Sequence, residues 1–77
     1  MAENLQAHVA QEIRAEMGRQ RTTGAELARR LGVSEAYISR RLANDGTCSL
    51  GDLERIADVL GVRAARFFPQ LTEDVAA

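Results

Sequence analysis

The sequence predicts an all-α fold: one compact domain of five short helices. Three observations carry this. Apolar residues recur at helical rather than strand spacing. Hydrophobic residues make up 45% of the chain but aromatics only 4%, which favours aliphatic helix packing over a β-sandwich. Each periodic stretch is bounded by glycine, serine or threonine, the residue types that stop and start helices. A chain of 77 residues buries only roughly 60% of the surface its unfolded form exposes, so one core is all it can build.

Leu5, Val9, Ile13 and Met17 lie four apart and predict a first helix over about residues 4–17, with Gly18 as its stop. His8 falls off this stripe and reads as an exposed helix residue. Arg19, Gln20, Arg21 and Thr22 form a polar, basic connection. Thr23 and Glu26 then fit a capping box, the threonine capping the first turn and the glutamate reaching back. The helix they open turns Leu27 and Leu31 inward and ends at Gly32. Ser34 is the next N-cap and starts a short helix to about Ala43. Residues 44–47 are loop chemistry. Ser49 to Asp52 is another capped start, after which Leu50, Leu53, Ile56, Ala57 and Leu60 share one face and Gly61 closes the helix. A last short helix covers residues 64–68, and Pro69 prevents its continuation.

Composition excludes several classes. No apolar run approaches the roughly 20 residues that span a bilayer, and the first residues are polar and acidic, unlike a signal peptide. One cysteine, Cys48, cannot form an internal disulfide. With one histidine it makes no zinc cage of ordinary spacing. His8, Cys48 and the scattered carboxylates show no nucleophile–base pattern, and there is no glycine-rich phosphate loop. The reading is of a non-enzyme with no cofactor, metal or small-molecule ligand. A free thiol fits the cytoplasm.

The net charge of −1 hides an uneven distribution. Residues 14–41 carry seven arginines against three acids, net +4, while the flanks are acidic. All ten basic residues are arginine, whose planar fork binds phosphate or a guanine edge bidentately. Codon usage in a GC-rich genome accounts equally well for the missing lysines, but not for the clustering.

The informative stretch is ELARRLGVSEAYISRRL, residues 26–42. Ala28 is small where two helix backbones cross, Gly32 allows a sharp exit from the first helix, Val33 plugs the corner and Ile38 anchors the second helix. These are the physical requirements of a helix-turn-helix. With the downstream segment SLGDLERIADVLGV, the chain resembles the phage-repressor and Cro-like (Xre-type) helix-turn-helix family over residues 22–68. Within that family it is similar to immunity-repressor and Cro-type regulators of actinobacterial phages. The resemblance implies a lambda-repressor-like DNA-binding domain over residues 1–69, with the motif at about 23–43 formed by helices 2 and 3. A flexible C-terminal tail would occupy 70–77. Three positions depart from the family pattern. Gly24 replaces a glutamine that touches phosphate, Arg41 occupies a usually apolar position whose role Leu42 takes, and Cys48 replaces a loop proline.

At about 100° per residue, Ile38 and Leu42 point to the core, and Ala36, Ser39, Arg40 and Ala43 point away. Tyr37 and Arg41 share a flank. The resemblance makes Glu35, Ala36 and Arg40 base readers, with Ser39 serving base or backbone. Arg40 can grip guanine O6 and N7, Glu35 can accept from cytosine N4, and Ala36 can pack on a thymine methyl. Phosphate contacts are expected from Arg19, Arg21, Thr23, Gly24, Tyr37, Arg41 and Asn44. Rival readings stand beside these. Arg40 and Arg41 also suit a solvated helix face that pairs with nearby acids, Glu35 suits a first helical turn, Tyr37 suits edge packing, and Arg29 and Arg30 suit a solvated or salt-bridged face.

The function so implied is a transcriptional regulator, a repressor that occupies a double-stranded DNA operator through helix 34–43 in the major groove. One recognition helix reads too few bases for a unique site, so a homodimer, at least on DNA, is expected, with the segment after Gly61, including Phe68 and Leu71, as its surface. The competing function is a helical protein-interaction module, or an antitoxin-like regulator, whose main partner is a protein.

Overall fold

The computed structural model describes residues 5–43 and 48–69. Four α-helices follow one another: α1 (Leu5–Gln20), α2 (Gly24–Leu31), α3 (Glu35–Arg41) and α4 (Leu50–Leu60). A 3-10 helix, Ala64–Phe67, follows them, and the described residues contain no strand. The fifth predicted helix is therefore one tight turn. Its N-cap, Arg63, makes no side-chain capping bond, and only four residues separate it from the Phe68–Pro69 stop.

Ile13, Leu27, Ile56 and Phe67 are fully buried, one from each of α1, α2, α4 and the 3-10 helix. Val9, Met17, Ala28, Ile38, Leu42, Leu53, Ala57 and Leu60 complete the core. α2 packs on α3 and α4, while α1 packs on the 3-10 helix and α4. Phe67 fills the core as a stopper between α1 and α4.

The predicted stop at Gly18 is overturned, because α1 runs on to Gln20. Its last turn is held by side chains: Glu16 accepts from Arg19 Nη2 at 2.7 Å and from Gln20 Nε2 at 2.8 Å. The left-handed exit falls on Arg21, with φ of 56°, the one described non-glycine at positive φ. Its amide donates to the Gly18 carbonyl and that of Thr22 to the Met17 carbonyl, the paired bonds of a Schellman end. The ends of α2 and α4 repeat this pattern at Gly32 and Gly61, where glycine takes the conformation without the steric cost that Arg21 bears.

Other expectations also shift. Leu5 and Leu50 are 50% and 73% exposed, not core. Each is the first residue of its helix. Leu31 is half-buried at the core's edge and His8 is half-buried rather than exposed. Thr23 caps α2 by accepting from the Glu26 amide at 3.1 Å. The reciprocal bond of the box is not made, because the Glu26 carboxylate instead pairs with Arg30 at 3.5 Å. The complete box is at α4, between Ser49 and Asp52. α3 ends at Arg41, with Leu42 as its cap.

Candidate nucleic-acid interface

α3 has only seven residues, and isolated helices below about 12–15 residues are marginal in water. Its surroundings therefore hold it. Ser34 Oγ accepts from the Tyr37 amide at 3.0 Å and caps the first turn. Ile38 and Leu42 are buried, and Val33 packs against the core from the turn. At the far end Arg14, from α1, donates Nη1 to the Leu42 carbonyl. Arg14 was not among the sequence-level candidates. It lies 28 residues away from its partner, and no local pattern encodes that pairing.

Glu35, Ala36, Ser39 and Arg40 are exposed, as expected, but Ala43, also expected to point away, is half-buried, because α3 ends at Arg41 and the chain leaves the helix before it. The Arg40 side chain has no hydrogen-bond or ion-pair partner among the described residues. Glu35 and Ser39 also line an open cleft of about 300 Å³ with Arg14 and Gly24, floored by Met17, Ile38 and Leu42. The cleft joins the start of α2 to the exposed face of α3. A Cβ at Gly24 would meet nothing within 4 Å.

The flank of α3 is different. The Tyr37 hydroxyl donates to Asp52 Oδ1 at 2.9 Å. The Arg41 guanidinium lies 4.5 Å from the centre of the Tyr37 ring, within cation–π range, and its Nε is 3.5 Å from Asp52 Oδ2. Burial would raise the Asp52 pKa, but hydrogen bonds from Tyr37 and Ser49, with the Arg41 charge, bring it below the usual carboxylate value. The Tyr37 side chain pushes the Arg41 pKa up against a smaller effect of burial. Burial, with the Asp52 charge, raises that of the half-buried Cys48 thiol.

The phosphate-contact candidates divide. Arg21 is exposed at the turn before α2. Arg19 is exposed but paired with Glu16. Thr23 is the exposed cap of α2, and Gly24 is its half-buried first residue. Tyr37 and Arg41 are gathered on Asp52. Asn44 lies outside the described residues.

Two more residues escaped the sequence reading. Asp52 was recognised as part of a capped start and not as the partner of α3. Glu16 is a buried carboxylate. Hydrogen bonds from Gln20 and then Arg19 lower its pKa against the opposing effect of burial. Its signal was present, because Glu16 projects within about 20° of Val9 on the helix wheel and has Arg and Gln three and four residues on. Among the described residues there is no metal-binding group of His, Cys, Asp and Glu. No described helix is long and apolar enough to cross a membrane.

Two helices joined by a Gly32–Val33 corner, the second with a polar, arginine-bearing outer face, define a helix-turn-helix domain of DNA-binding regulators. The chain belongs to the Xre/Cro-like helix-turn-helix family, whose model matches residues 11–67. It is similar to the crystal structure of a hypothetical transcription factor, NHTF, from Neisseria, at 26% identity and a TM-score of 0.78, covering 99% of this chain and 93% of that one. It is also similar in fold to the crystal structure of FeII HppE, at 24% identity and a TM-score of 0.76, over 86% of this chain but 35% of that one. No curated protein matches the chain.

Proposed function

We propose that the protein is a sequence-specific transcriptional regulator, a phage-type repressor that works by occupying a double-stranded DNA operator. α3 lies in the major groove, which is wide enough to admit a helix. Arg40, Glu35, Ala36 and Ser39 face the base edges. Arg21, Thr23 and the Gly24 amide engage phosphates beside the groove, with Arg19 at their edge. The observation that carries the reading is the division of α3: its outer face is polar, exposed and, at Arg40, unpartnered among the described residues, while every other face is committed to the fold. Two copies on a pseudo-palindromic site would place half-sites about 34 Å apart on one DNA face. The pairing surface is the segment after Gly61. Phe68 there is half-buried against the core, and Leu71 lies outside the described residues. The site of action is the cytoplasm.

The test is selection from a randomised duplex library, wild type beside Arg40→Ala. A recurring motif that relaxes at one position in the variant supports the reading, and the symmetry of the motif reports the dimer. No enrichment by folded wild-type protein rejects it in favour of a protein partner.

A further inference from the structure

The two arginines that end α3 are placed differently. Arg40 points outward, whereas Arg41 lies over Tyr37 and against Asp52. The Asp52 side chain is only 13% exposed, and two donors and one positive charge converge on it. The Tyr37 hydroxyl donates at 2.9 Å and the Ser49 amide at 3.3 Å, while the Arg41 guanidinium pairs with it as an ion, its Nε 3.5 Å away. Asp52 also belongs to the first turn of α4, whose capping box its carboxylate closes. One carboxylate therefore fixes both where α4 begins and how α3 is rolled about its own axis.

That roll controls base reading. Side-chain tips on a helix sit about 5–6 Å from the axis, so a roll of about 20° moves them by about 2 Å. A displacement of that size breaks a hydrogen bond. Glu35, Ala36, Ser39 and Arg40 would all be re-aimed together, without any loss of burial at Ile38 or Leu42 large enough to unfold the domain. We infer that Asp52 is a positioning residue for base reading, acting through Tyr37 and Arg41, and that Arg41 belongs to this clamp rather than to the phosphate contacts. The inference rests on the DNA-reading function proposed above.

The experiment measures affinity for the selected duplex and for an unrelated duplex of equal length, across a range of salt, well below each variant's Tm. Wild type is compared with Asp52→Asn, Tyr37→Phe and Arg41→Gln. Asp52→Asn is expected to lower the ratio of specific to non-specific affinity about tenfold, comparable to losing one well-aimed base contact. Tyr37→Phe should lower it in the same direction by less. Arg41→Gln should leave the salt slope on the unrelated duplex unchanged. A ratio unmoved in folded Asp52→Asn overturns the inference, as does a slope that falls by about 0.9 in Arg41→Gln, the signature of one lost phosphate contact. Should Asp52→Asn not fold, Tyr37→Phe, which removes one oxygen, decides the question alone. Wild type that selects no duplex rejects the DNA-reading function itself, whereas selection with unmoved ratios rejects only the clamp.

Discussion

The side-chain amide of Gln20 donates to the carbonyl of Leu60 at 2.7 Å, joining the last turn of α1 to the last turn of α4. The same device recurs. Arg55, from α4, donates to the Leu31 carbonyl at 3.0 Å, and Arg14, from α1, donates to that of Leu42. Carbonyls in a final helical turn lack intrahelical partners. Here α2, α3 and α4 each receive a donor from another helix, which fixes the angle between the two. The helix-turn-helix pair is thereby braced from both sides, α2 by α4 and α3 by α1.

Gln20→Met keeps the length of the side chain but removes the donor to Leu60 and to Glu16. A part-buried carbonyl and a buried carboxylate each lose a partner. The expected loss is about 1–3 kcal/mol, read as a Tm lower by roughly 4–8 °C per kcal/mol for a domain of this size. A Tm equal to wild type would show that the brace contributes nothing.

The end of α1 can be improved. Gly18 is exposed inside the helix with open space around it, so Gly18→Ala should stabilise by up to about 1 kcal/mol. Arg21 occupies the left-handed region, and Arg21→Gly should relieve roughly 1 kcal/mol of steric cost, part of which the added freedom of the unfolded chain offsets. Both should raise the urea midpoint without changing the slope of the transition. A lowered midpoint in either variant would contradict the helix end described above.

Acid should weaken the fold through two carboxylates. Glu16 and Asp52 both have pKa values below their ordinary ones. A depressed folded-state pKa contributes stability that is present above the unfolded pKa and lost as pH falls through the folded one. The Tm is therefore expected to hold from pH 7 to about 5 and to fall below about 4. Glu16→Gln should be less stable than wild type at pH 7 and should show a shallower acid decline. An equally steep decline in that variant would place the titration elsewhere.

Local chemistry was legible in the sequence, and long-range chemistry was not. The caps at Thr23, Ser34 and Ser49, the exits at Gly32 and Gly61 and the inward pair Ile38 and Leu42 all follow from residue type and helical spacing. The exposure of Glu35, Ala36, Ser39 and Arg40 on α3 follows from the same 100° rotation. Leu50 was misjudged because periodicity assigns a face but does not say where the neighbouring helix stops. Gly18 was misjudged because its intrinsic preference was outweighed by Glu16, Arg19 and Gln20. The Tyr37–Asp52 and Arg14–Leu42 contacts span 15 and 28 residues, and only the packed fold brings such partners together.

Base and phosphate contacts should separate cleanly by variant. The Arg40 side chain is exposed with no partner among the described residues, so Arg40→Ala should leave stability within about 0.5 kcal/mol of wild type. It should weaken the selected duplex by about 1–3 kcal/mol and relax one base position. Arg21→Ala should do the reverse, weakening every duplex alike and reducing the salt slope by about 0.9. Arg19 is held by Glu16 at 2.7 Å, so Arg19→Ala should lower the Tm as well as the slope. Binding titrations at several salt concentrations, run beside thermal melts, distinguish the three. If Arg40→Ala lost affinity equally on all sequences with a smaller salt slope, Arg40 would be a phosphate ligand and the reading face would have to be assigned to Glu35, Ala36 and Ser39 alone.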